Sequence, residues 1–155
     1  MYDHRPRAPA VNQGAAQAWF IAGTIPLIVA GGLHVALTLA DTVRPRYFAP
    51  KDGSVKPALE GTPIRFGGNA APSMWRAWLG FNISHGLGVF TFGLLCLLIA
   101  TQDFKLVERI DAIRPLTIAF SAAYLALSLR FWFYGPVIIT GTALACFTVA
   151  TVLSA

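Results

Sequence analysis

The sequence predicts an all-α protein: a four-helix transmembrane bundle with one long irregular loop and a short interfacial amphipathic helix. Three observations predict it. Charged residues make up 12% of the chain and hydrophobic residues 55%, whereas soluble domains run near a quarter charged. The apolar residues are gathered into runs near the ~20 residues that carry an α-helix across a bilayer. Those runs are far too long for the strands of a membrane barrel, which leaves helices as the spanning form.

Residues 1–16 read as a polar, Ala/Pro-rich tail holding His4, Arg5 and Arg7, and residues 17–155 as the membrane domain. Span one covers 19–40. Its apolar core exceeds the ~7–15 residues of a signal peptide and contains His34, so it reads as a retained helix. Pro26 removes a backbone donor and predicts a kink. Gly31 and Gly32 thin the helix one turn before His34. The loop at 41–75 holds Pro45, Pro50, Pro57, Pro63 and Pro72 among four glycines, a spacing of breakers that allows no long helix or strand. Tyr47, Phe48 and Phe66 in it suit a membrane surface or a cap on the bundle, and a loop of this length serves as a lid, a docking surface or a connector.

Span two covers 76–100 and is entered through Trp75, Arg76 and Trp78, residue types that sit well at a membrane interface. In 101–114, balanced charges accompany Phe104, Val107, Ile110 and Ile113 at roughly helical spacing, the pattern of an amphipathic helix on the membrane surface. Span three covers 115–133, opens on Pro115 at the favoured first helical position, and ends in the aromatic run Phe131 to Tyr134. Gly135-Pro136 marks a turn, and span four covers 137–153. Spans three and four must be antiparallel because almost nothing separates them. An even number of spans places both termini on one side.

Several function classes lose support here. The net charge of +5 lies in loops and flanks, which suits lipid headgroups rather than nucleic acid. Cys96 and Cys146 fall within apolar runs with no metal or redox spacing, so they read as small buried thiols. There is no nucleophile–base pair and no paired carboxylate site, which favours a non-catalytic protein. Lys and Arg divide by face: Arg5, Arg7, Lys105, Arg109 and Arg114 on the terminal side, and Arg44, Arg46, Lys51, Lys56, Arg65, Arg76 and Arg130 on the long-loop side. The positive-inside rule then places the loop in the cytoplasm and the termini outside an inner membrane.

The chemistry-bearing residues lie inside the spans. At about 1.5 Å rise per residue, His34 and His85 reach the same depth, roughly 9–12 Å below the loop-side surface. His34, Thr38 and Asp41 share a face of span one, and Asn82 and His85 a face of span two. With Ser84 nearby and Arg130 approaching the same surface, these seven residues form a candidate polar intramembrane cluster, and ionisable groups at such depth usually face the protein interior. Three roles fit the histidines. They fix helix packing through hydrogen bonds; they are axial ligands of a haem b, or ligands of a metal ion, with Ala30, Gly31 and Gly86 leaving room for a flat ring; or they line a polar site for a lipid, a quinone or a proton. Against haem, only one histidine pair is present; against a metal ion, no third ligand lies at that depth.

Small residues at a spacing of four permit close helix approach: Gly80, Ser84 and Gly88 in span two, Ala122 and Ala126 in span three, Gly141 and Ala145 in span four. Such rows hold the bundle together or face another subunit or a second copy.

The run Trp75-Arg76-Ala77-Trp78-Leu79-Gly80-Phe81-Asn82-Ile83-Ser84-His85, preceded by Gly32-Leu33-His34 and Arg44-Pro45-Arg46-Tyr47-Phe48, resembles a family of small four-helix bacterial integral membrane proteins with a W-R-x-W-x-G-F-N-x-S-H signature. The resemblance covers the first two spans and the start of the long loop. It implies a bacterial membrane protein with four spans and assigns no reaction. The function expected is that of an accessory or structural subunit of a larger membrane complex, or a bundle that binds a hydrophobic ligand. The alternative is a redox protein that uses His34 and His85.

Overall fold

The computed structural model describes residues 10–66 and 68–154. Among them the chain is helical, with no strand beyond one isolated bridge between Pro63 and Ser73. The elements are α1 (Ala10–Val43), α2 (Val55–Gly61), a 3-10 turn at Gly68–Ala70, α3 (Met74–Gln102), α4 (Phe104–Arg109), α5 (Ile113–Phe131) and α6 (Tyr134–Leu153).

Three helices are long and apolar enough to cross a membrane: Asn12–Val43, Met74–Gln102 and Tyr134–Leu153. In each, 28% of the most apolar window is buried inside the protein. The rest of that apolar surface is not covered by the described residues, as suits helices that cross a bilayer. α5 is shorter, at 19 residues, and carries Arg114 and Arg130 within it, which lowers its mean hydropathy below that of the other three.

The N-terminal tail read at 1–16 falls partly outside the described residues, which begin at Ala10; from there the chain is already helical. The helix also runs on through Pro26. The stretch read as one surface helix over 101–114 is divided. α3 continues to Gln102, the Asp103 side chain accepts from the Lys105 backbone N–H to start α4, and Ile110 adopts an extended conformation that ends it. Phe104 and Val107 are buried within the protein rather than laid on lipid.

The described residues pack as two compact units, one within Ala30–Thr91 and the other made of those before and after it. In the flanking unit, Phe20 sits edge-on to Phe104 and Phe147, with ring centroids 5.9 and 5.1 Å away. Gly23 gives the Phe147 ring its place, since a Cβ there would lie 3.0 Å from it. Gln13 donates to Glu108, and Gln17 donates to the Ala100 carbonyl. Phe92 stacks on Phe120 at 3.8 Å. α5 and α6 pack as an antiparallel pair, with Arg114 at the start of one donating to the Ser154 carbonyl just past the end of the other.

In the central unit, α1 and α3 run antiparallel and meet backbone to backbone. A Cβ on Gly31 would lie 2.8 Å from the Gly86 carbonyl oxygen and clash with the Phe90 backbone; one on Gly86 would lie 2.9 Å from Val35 Cγ2 and 3.1 Å from His34 Cδ2. Only glycine allows this approach, and contact this close is the main source of helix association where lipid is as apolar as the side chains. The loop returns to α3 through a small closed turn. Ile64 N–H donates to the Pro72 carbonyl and Met74 N–H to the Thr62 carbonyl. Trp75, expected at the lipid interface, is instead buried, with Lys56 of α2 lying 5.7 Å over its ring.

Gly31→Ala or Gly86→Ala is expected to cost about 1–3 kcal/mol through overpacking. Gly88→Ala, where a Cβ meets nothing within 4 Å, should change stability by less than about 0.5 kcal/mol. Thermal unfolding in detergent checks this; equal effects at Gly86 and Gly88 would show that the helices do not meet at Gly86.

Candidate functional site

The central unit contains six of the seven residues read as an intramembrane cluster, and five of them form a connected set. His34 and Asn82 meet across the α1–α3 contact, with His34 Nε2 3.1 Å from Asn82 Oδ1. The Asn82 amide nitrogen donates to the Trp78 carbonyl at 2.8 Å. That bond orients the amide, so Oδ1 faces the imidazole, and an amide oxygen only accepts. Nε2 of His34 therefore carries the proton. The His85 ring lies 5.3 Å from that of His34 and stacks on Phe81 at 6.0 Å. Thr38, one turn after His34 and fully buried, returns its hydroxyl to the His34 carbonyl.

Asp41 explains how the loop leaves the helix. A carboxylate near a helix C-terminus faces the negative end of the helix dipole, and this one is also fully buried. It is held by three consecutive backbone N–H groups. Oδ1 accepts from Arg46 at 2.7 Å and Tyr47 at 2.9 Å, and Oδ2 from Phe48 at 2.6 Å. The turn so formed sets the Phe48 ring 4.5 Å from the His34 ring. The Trp78 indole N–H then donates to the Phe48 carbonyl at 3.0 Å. A hydrogen-bonded circuit results: His34 on α1, Asn82 and Trp78 on α3, Phe48 in the loop, and Asp41 back on α1.

Two residues read into the cluster lie elsewhere. Ser84 is exposed and donates within its own helix to the Phe81 carbonyl, which puts it on the row of Gly80 and Gly88. Arg130 belongs to the flanking unit, exposed in the last turn of α5 with its guanidinium 5.1 Å over Phe131. Phe48 and Trp78, conversely, were read as interfacial aromatics and turn out to connect loop and helix. The signal for the loop turn was an Asp in the last turn of a helix with Pro45 just beyond it, a pattern that frees the following amides for capture.

The arrangement does not suit a haem. Two axial imidazoles must flank a porphyrin plane, and here the space between the helices is closed by the Gly31–Gly86 contact. His34 Nε2 is moreover a donor to Asn82 rather than an open lone pair. Among the described residues no three His, Cys, Asp or Glu side chains are grouped so as to hold a metal ion, and the carboxylate of Asp41 is engaged by backbone amides. Neither ligand chemistry is built into these residues as arranged. Comparison with known proteins found no matching family model, curated protein or solved structure.

Asp41→Asn keeps the size of the side chain but loses the charge that three amides share. It should lower stability by about 1–3 kcal/mol and speed hydrogen exchange at the amides of Arg46, Tyr47 and Phe48. Exchange at those amides unchanged from wild type would contradict the assignment. A double-mutant cycle on His34 and Asn82 should give a coupling of about 0.6–1.7 kcal/mol, read from thermal unfolding of the four variants.

Proposed function

We propose that this chain is a small multi-pass protein of the bacterial inner membrane, folded as a four-helix bundle, that acts as a non-catalytic accessory subunit of a larger membrane complex. α5 is the fourth span in this reading. No charged residue separates Arg114 from Arg130, and both side chains reach the interfaces by snorkelling. The resemblance of the Trp75–His85 run to small bacterial membrane proteins supports the location. The distribution of Lys and Arg supports a cytoplasmic loop and external termini.

One observation carries the subunit role. The glycines that the fold uses for its own packing meet neighbours closely: at Gly23, Gly31, Gly86 and Gly93 an added Cβ would come within about 3 Å of another group. Gly80 and Gly88 do not. A Cβ at either would meet nothing within 4 Å, and Ser84 between them is exposed. This small-residue row on α3 is therefore not spent on the chain's own fold, and such rows serve close approach of another helix. Gly141, by contrast, lies at ordinary contact distance from Leu125 within the α5–α6 pair, while Ala145 is exposed.

Replacing Gly80 and Gly88 by Leu tests the role. The double variant should fold with stability within about 1 kcal/mol of wild type, because the sites touch nothing in the chain. Purified in mild detergent from its native host, the wild type should bring down one stoichiometric partner complex and the variant should lose it. A wild type that purifies alone as a monodisperse species, or a variant that keeps its partner, would contradict the proposal.

A further inference from the structure

We propose that the loop joining α1 to α3 is a binding surface for the headgroups of anionic phospholipids. This goes beyond the accessory-subunit reading and requires only that α1 and α3 cross a bilayer.

The first observation is where the charges lie. In the central unit every Asp, Glu, Lys and Arg falls between Asp41 and Arg76; residues 30–40 and 77–91 hold none. The uncharged stretches are the hydrocarbon-facing parts of the two helices, so the membrane boundary passes near residues 41 and 76. The loop therefore occupies the headgroup layer and its immediate surroundings.

The second observation is that the loop's own acids do not neutralise its cations. Six cations, Arg44, Arg46, Lys51, Lys56, Arg65 and Arg76, stand against three carboxylates, Asp41, Asp52 and Glu60. Asp41 is buried and committed to backbone amides. Glu60 pairs with Lys56. Asp52 accepts from the backbone N–H and hydroxyl of Ser54. Among the described residues, none of Arg44, Arg46, Lys51, Arg65 and Arg76 has a carboxylate within ion-pair distance, and all five are exposed.

The third observation concerns aromatic rings. Phe66 is 88% exposed and Tyr47 51% exposed, beside Arg65 and Arg46 respectively. Arg46 lies 5.8 Å over the Tyr47 ring, and rings this exposed beside cations that lack a carboxylate partner suit a headgroup layer, where the ring dips toward the acyl chains while the cation meets phosphate. An acidic soluble protein would satisfy the cations and leave Phe66 unexplained. Arginine adds a planar fork that matches two phosphate oxygens, and four of the five cations without a carboxylate partner among the described residues are arginines.

The test uses the purified full chain in neutral detergent, offered phosphatidylglycerol and phosphatidylcholine of matched acyl chains, with retained lipid counted by native mass spectrometry and melting temperature read in parallel. Wild type should retain phosphatidylglycerol in preference and be stabilised by it more than by phosphatidylcholine. Each neutralised cation should weaken the preference by up to about fivefold, so that replacing Arg44, Arg46, Lys51, Arg65 and Arg76 with Gln brings it close to one. Replacing the four arginines with Lys should keep most of it, and high salt should erode it. Should the variant with all five replaced fail to fold, Arg44→Gln and Lys51→Gln singly carry the same test, because neither side chain has a carboxylate partner among the described residues. Equal retention of the two lipids by wild type, or a full preference surviving in the Gln variants or in high salt, would overturn the proposal. So would loss of an acidic co-purifying protein from the Gln variants with lipid retention unchanged, which would assign the surface to that protein.

Discussion

The contact between Gly31 and Gly86 is the constraint on which the central unit depends. Side chains normally hold two helices apart; here their absence lets the backbones touch. At that separation His34 reaches Asn82 directly, and the polar groups of both helices find partners inside the protein. This matters more in a bilayer than in water, because an unsatisfied group there has no solvent to turn to. The circuit through Asn82, Trp78, Phe48 and Asp41 then extends the contact into the loop. Each member holds the next in place, and such linked bonds polarise one another. The loop is irregular in its backbone yet tied at its start by Asp41 and at its end by the turn that leads into α3.

The flanking unit is held by different means. Its contacts are aromatic edges, small residues and a few long-range polar bonds such as Gln13 to Glu108. Phe20 is the hub, almost fully buried between rings from α4 and α6. The two buried residues of α4, Phe104 and Val107, turn inward. The two units differ in how polar groups are used: in the central one side chains of α1 and α3 bond to each other and to the loop, whereas the buried hydroxyls of the flanking one, such as Thr24, Thr117 and Thr140, return to carbonyls of their own helices.

Much of the helical architecture is legible in composition and run length, because crossing hydrocarbon demands long uncharged segments and nothing else in this sequence competes with that signal. That His34 and His85 come level with each other on antiparallel helices is also legible, since helical rise is constant. Their rings do come within 5.3 Å. What they do there is less legible. Gly31 and Gly86 were read as space for a flat ring, and the same absence of side chains instead brings the helices together. Spacing along a chain cannot distinguish a gap from a contact; only the partner surface decides. The roles of Asp41 and Phe48 were hidden for a related reason. They depend on how a Pro-containing turn folds back, and periodicity carries no information about that. Arg130 was drawn into the cluster by depth alone, and depth does not specify which neighbours a helix has.

The central claim is that His34 is a hydrogen-bond donor within a closed helix contact rather than a ligand. The most direct measurement is the nitrogen NMR spectrum of histidine-labelled protein in lipid, with His34 assigned by comparison with His34→Gln. His34 is expected to be protonated at Nε2, with its signal altered by Asn82→Ala. An unprotonated Nε2, or a shift produced by a bound metal or haem iron, would contradict it.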